Sequence, residues 1–93
     1  MNYVYIEGEI KKKLTLRIGK EKLYVKFYVE VEIPNHTSVI EIMLGGHLLQ
    51  YALIYDVGYR VKVEGHISTL VTNKDKGGIK QYIVADTISR QAI

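Results

Sequence analysis

The chain has no cysteine and no tryptophan, one proline, and a single phenylalanine beside eight tyrosines. Lack of cysteine excludes disulfides and thiolate metal sites, and it fits a reducing cytoplasm. No apolar run approaches the roughly 18 residues that a membrane-spanning helix needs, so no membrane partner is expected. The opening residues Met1-Asn2-Tyr3-Val4 lack the charged-then-apolar build of a signal peptide. His36, His47 and His66 stand isolated, without ligand spacing or an adjacent carboxylate pair, so no metal is expected. There is no Gly-x-x-x-x-Gly-Lys-Ser/Thr run. Glu7 and Glu9 alternate on a strand with no partner suited to acid–base work, and surface solvation accounts for them. No cofactor and no enzymatic activity are expected.

What remains is 93 residues with 47% hydrophobic and 25% charged content, ordinary for a soluble globular protein. That length accommodates one domain, residues 1–93. The formal charge of +3 is a mild pointer toward a polyanionic partner.

Two-residue alternation dominates the chain and reads as strands. Val4, Ile6, Gly8 and Ile10 fall on one face of a first strand, with Tyr3, Tyr5, Glu7 and Glu9 on the other. It continues, through a bend, to Leu14, Leu16 and Ile18. The second strand is the cleanest: Leu23, Val25, Phe27, Val29, Val31 and Ile33 on the inner face, Tyr24, Lys26, Tyr28, Glu30 and Glu32 on the outer. Pro34 stops it, having no N–H for the ladder. A third strand runs from about Ser38 to Leu44, with Ile40, Ile42 and Leu44 inward. Residues 47–56 read as a short helix, rich in Leu, Gln and Ala. A fourth strand places Val61 and Val63 inward and Arg60, Lys62 and Glu64 outward. A polar loop over 73–78 leads to a fifth strand over about 79–88. Five strands with one helix between the third and fourth is the order of an all-β OB-fold barrel. Such barrels bind along strands two and three and through the loops joining strands 1–2 and 4–5.

Three segments resemble bacterial single-stranded DNA-binding proteins. Asn2 to Ile10 is similar to the family's Asn-x-Val-x-Leu-x-Gly-x-Leu opening strand. Gly45, Gly58, Val61, Val63, Glu64, Gly65 and Ile67 resemble its strand–helix–strand unit, and Val84-Ala85-Asp86-Thr87-Ile88 its final strand. Gly46-His47, Gly65-His66-Ile67-Ser68, Lys74 and Lys76 resemble the short primosomal replication proteins of the same superfamily. The resemblance implies an OB-fold that binds single-stranded DNA, forms homo-oligomers and acts with replication or recombination proteins. The family's stacking tryptophans and phenylalanine would align with Ser38, Leu44 and Thr72, and its acidic C-terminal tip has no counterpart in Ser89 to Ile93.

Tyr24, Lys26 and Tyr28 combine stacking surfaces with a cation on the usual binding face, the pairing that non-specific single-strand binding needs. The plainer reading is that tyrosine suits a half-exposed strand. If Glu30 and Glu41 share that surface, they oppose phosphate. Lys74, Lys76 and Lys80 surround the 4–5 loop, either as a basic finger or as a solvated hairpin. Seven of the thirteen basic residues lie between positions 11 and 26, among them Lys11, Lys13, Lys20 and Lys22. They form either an electrostatic track or simply a solvated face. Arg60 and Lys62 complete the candidate nucleic-acid set. Tyr3 and Tyr5 suit a two-fold dimer interface, which the resemblance implies for the first strand; simple surface cover is the second reading. The helix is apolar at Leu48, Leu49, Tyr51, Ala52, Leu53, Ile54 and Tyr55, more than capping a barrel requires, so part of it could meet a partner.

The expected function is therefore single-stranded DNA binding with little sequence preference, by a dimer or tetramer in the cytoplasm, accessory to replication, restart or recombination. The rival is an OB-fold module that recognises protein and binds nucleic acid weakly or not at all. RNA is a third reading, against which stands the absence of Lys-Gly-Phe-type strand motifs.

Overall fold

The computed structural model describes residues 2–18, 22–73 and 78–91, with the backbone alone for residues 18, 70–73 and 78–80. Alternating inward residues bury one face of every strand, and the sheet closes on itself. The elements run β1 (Val4–Ile18), β2 (Lys22–Ile33), β3 (His36–Gly45), a 3-10 turn (Gly46–Leu48), α1 (Leu49–Ile54), β4 (Arg60–Asn73) and β5 (Gly78–Arg90). They form a closed barrel in the order β1-β2-β3-β5-β4. All pairings are antiparallel except β3 with β5, where Ile42 lies beside Ile83 and Met43 beside Val84. This is the OB-fold that the strand order predicts.

The core follows the alternation. Ile10, Phe27, Val29, Ile42, Leu44, Val61 and Val63 are fully enclosed, and Leu48 and Ala52 plug one barrel end. The ends of β2 depart from the expected pattern. Leu23 and Ile33 are exposed, because both strand ends extend past the enclosed part of the barrel. Ile40 is half-buried and packs against the core edge.

Three local features differ from expectation, each for a physical reason. The bend in β1 is a bulge: Ile10 lies opposite Val29 and Lys12 opposite Tyr28, leaving Lys11 as the extra residue. One added residue reverses the faces of everything beyond it. Leu14, 39% exposed, therefore shares the outer row of Lys26, and Leu16 that of Tyr24. Pro34 does more than end β2. With Asn35 at φ 74° it supplies the Pro-then-positive-φ pair of a type II turn, so Ile33 pairs directly with His36 and β3 begins there. The helix is shorter than expected, a 3-10 turn followed by six α-helical residues.

Two glycines in the segments that resemble the single-strand-binding family sit where strands cross closely. A β-carbon on Gly8 would lie 2.2 Å from the Glu30 carbonyl oxygen, and one on Gly65 equally close to that of Val84. Gly8→Ala is expected to cost about 1–3 kcal/mol through overpacking, read as a fall in thermal midpoint of about 4–8 °C per kcal/mol. An unchanged midpoint would show that the strands separate freely there. Asn2 fixes the start of the chain: its carboxamide donates to the Ile67 carbonyl, and its Oδ1 accepts the Ile67 N–H at 2.9 Å. The side chain thereby continues the β1–β4 ladder by one step.

Candidate nucleic-acid interface

The bulge and the β2–β3 register together compose one outer surface from three strands. Its rows are Lys12–Tyr28–Glu41, Leu14–Lys26–Met43 and Leu16–Tyr24–Gly45. Tyr24, Lys26 and Tyr28 thus share a face, as alternation predicts. The Tyr28 ring lies between two ammonium groups, with Lys12 Nζ 5.3 Å and Lys26 Nζ 5.7 Å from its centroid. Both distances suit cation–π attraction. Lys12 reaches the ring only because the bulge turns it outward. Three consecutive lysines interrupting an alternating strand were the available signal for that extra residue.

Tyr24 has a second duty. Its ring lies against Gly45, where a β-carbon would come within 2.6 Å of Cε1. An aromatic ring covering a cross-strand glycine repairs the packing that glycine omits. Met43 is 7% exposed although it occupies an outer row, so neighbouring side chains cover it; the Lys26 stem stands in the adjacent position.

Carboxylates also occupy this surface. Glu41 accepts a hydrogen bond from Lys26 Nζ at 2.7 Å, and the Lys26 side chain is only 15% exposed. That bond holds the Lys26 ammonium pKa above its ordinary value. The pair's stabilisation is therefore complete at neutral pH and is lost as pH rises through the raised lysine range. Lys11 meets Glu9 at 3.0 Å and Glu30 at 3.8 Å, and the Glu9 hydrogen bond likewise raises its pKa.

The remaining candidates are dispersed. Beyond the bulge, Lys13 turns away from Tyr28; its ammonium lies 5.8 Å from the Phe27 ring centroid and 3.7 Å from Asp56. Lys22 is exposed and has no ion-pair partner among the described residues. Arg60 pairs in register with Glu9, and Lys62 lies 3.8 Å from Glu7, so Glu9 and Glu30 separate both cations from Tyr28. Lys80 pairs with Leu70 through the backbone. Lys20, Lys74 and Lys76 lie outside the described residues.

On the β1–β4 surface Tyr3 donates to Glu64 at 2.7 Å and Tyr5 to Glu7 at 2.8 Å, and both phenols are exposed. Each carboxylate acceptor raises the pKa of its tyrosine. His66 and Asp86 are 2.9 Å apart on β4 and β5. Among the described residues no group of three or more histidines and carboxylates could hold a metal ion, and no helix is long and apolar enough to cross a membrane.

No model of a protein family matches the sequence, nor does any curated protein. Solved structures do match in fold. The N-terminal domain of the PriB protein from Thermoanaerobacter tencongensis, described as dimeric, superposes with a TM-score of 0.75 at 20% identity, over 99% of this chain and 98% of that one. A mitochondrial single-stranded DNA-binding protein from S. cerevisiae gives 0.70 at 20% identity, over 95% and 92%. The single-stranded DNA-binding protein from Thermus aquaticus gives 0.76 at 15% identity, over all of this chain and 41% of that one.

Proposed function

We propose that this chain binds single-stranded DNA with little sequence preference, as a homo-oligomer that performs no catalysis itself. The observation that carries the reading is Tyr28 held between Lys12 and Lys26 on the outer face of β2, in a fold shared with proteins named for single-stranded DNA binding. Rings stack on bases, and adjacent cations neutralise phosphates, without reading base edges. In this reading Tyr24, Lys26 and Tyr28 form the centre, with Lys12 and Lys22 beside them. Lys11, Lys13, Arg60 and Lys62 lie at the periphery; Lys20 of the 11–26 basic run and Lys74, Lys76 and Lys80 of the 4–5 loop are proposed as further phosphate contacts. In this reading a two-fold contact through Tyr3 and Tyr5 makes the dimer, and the setting is an accessory role in replication, restart or recombination in the cytoplasm.

Fluorescence-anisotropy titration of labelled oligothymidine across salt concentrations tests the reading. Binding should weaken linearly in log salt, by about 0.7 per neutralised phosphate, and duplex should compete poorly. In the same titration Glu41→Gln is expected to tighten binding about two- to tenfold, because it frees Lys26 and removes a charge that repels phosphate. Weaker binding by that variant would mean that Glu41 serves mainly to aim Lys26. A second reading, protein recognition, is favoured by the exposed Leu53, Ile54 and Val57. It becomes the better one if oligothymidine fails to bind even at low salt.

A further inference from the structure

At the far end of this face from Glu30 and Glu41, beside Tyr24, the surface opens into a cleft of about 390 Å³ lined by Lys22, Leu23, Tyr24, Gly46 and Leu49. We infer that this cleft takes one unpaired nucleobase of the bound strand, with the phosphate beside it on Lys22. The inference rests on the single-strand reading above and adds a defined base site to it.

Four observations fit this occupant. The volume lies within the range of about 300–1,000 Å³ typical of small-molecule sites. Its lining is a tyrosine ring, two leucines, a glycine and one ammonium, which suits a flat apolar ring carrying an adjacent anion. None of the lining residues is acidic, whereas Lys26 and Lys11 elsewhere on the face already meet carboxylates. Gly46 leaves the cleft mouth open, because no heavy atom lies within 4 Å of where its β-carbon would stand.

Spacing gives the site its character. Tyr24 and Tyr28 are four residues apart on one strand, about 13 Å at strand rise. That is about four stacking steps of 3.4 Å, so each ring has room for a base of its own. A base that enters the cleft beside Tyr24 gives up its pairing partner, which a duplex forbids and a single strand permits. The lining residues present no set of polar groups to base edges, so any base fits and sequence preference stays low.

The test compares oligothymidine with an oligomer of equal length made entirely of abasic sites, both by anisotropy at one low salt concentration. The ratio of the two affinities reads what the bases contribute, separately from phosphate charge. Leu49→Trp fills the cleft and is expected to lower that ratio about 5- to 150-fold, the equivalent of one stacked base. Abasic affinity should not move. Leu23→Trp, at a cleft residue 39% exposed, obstructs the same space without touching Tyr24 and is expected to lower the ratio as well, so the test stands even if the Leu49 variant fails to fold. An unmoved ratio with well-folded protein overturns the cleft and leaves strand binding intact. Oligothymidine that does not bind the wild-type chain overturns both.

Discussion

Phe27→Ala should lose about 3–5 kcal/mol of folding stability, the largest single-site effect expected in this chain. Phe27 is 0% exposed and the largest of the fully enclosed side chains. It pairs across to Ile42 on β3, and Lys13 lies over its ring. Truncation therefore removes apolar burial and leaves a void that strands already pinned on both sides cannot close. Domains carry about 0.05–0.15 kcal/mol of stability per residue, or about 5–14 kcal/mol at this length, so the loss takes a large share of the total. Urea denaturation should show the midpoint moving far down with little change in slope. Leu53→Ala, at a side chain 79% exposed, is the matched control and should be nearly silent. Equal effects in the two variants would mean that the barrel interior is not the principal source of stability.

The second large effect concerns binding. Tyr24→Leu combined with Tyr28→Leu removes both rings and keeps apolar cover over Gly45. Each stacked base contributes about 1–3 kcal/mol. At about 13 Å apart along the strand the two sites should be nearly additive, so the double variant should lose about 2–6 kcal/mol. In affinity that is a factor of about 30 to 20,000. The slope of affinity against salt should stay the same, because no cation has been removed. If affinity holds and the melting temperature alone changes, the rings are surface cover, and strand binding must be sought elsewhere.

The barrel was legible because burial imposes a two-residue period, and β2 and β4 carry that period cleanly at Val25, Phe27, Val29, Val61 and Val63. The reversal beyond Lys11 was not legible in the same way. Within a run of lysines a bulge leaves no hydrophobic residue out of step until Leu14, and both faces of that stretch are partly wet. In the sequence Pro34-Asn35 marks only an interruption, since proline's missing donor is obvious there while Asn35's positive φ depends on the turn around it. Within the candidate site, the common face of Tyr24, Lys26 and Tyr28 follows from strand period alone. Register supplies what period cannot: Glu41 opposite Tyr28, Gly45 beneath Tyr24, and Lys12 over the Tyr28 ring. Those are facts about neighbouring strands, and no spacing within one strand encodes them.

The parallel seam between β3 and β5 has a consequence for how the chain fails. The β1–β2–β3 sheet and the β4–β5 hairpin join strands adjacent in sequence, so each can assemble from nearby contacts. The seam at Ile42–Ile83 and Met43–Val84 joins distant segments through two register pairs, whereas the likewise non-local β1–β4 pairing has six. A weakened barrel opens there before its hairpins melt, baring the unpaired edges of β3 and β5 with Ile42 and Met43 on one of them. Open edges pair with edges of other molecules. Destabilised forms of this protein should therefore be lost to aggregation while most of their strand content persists.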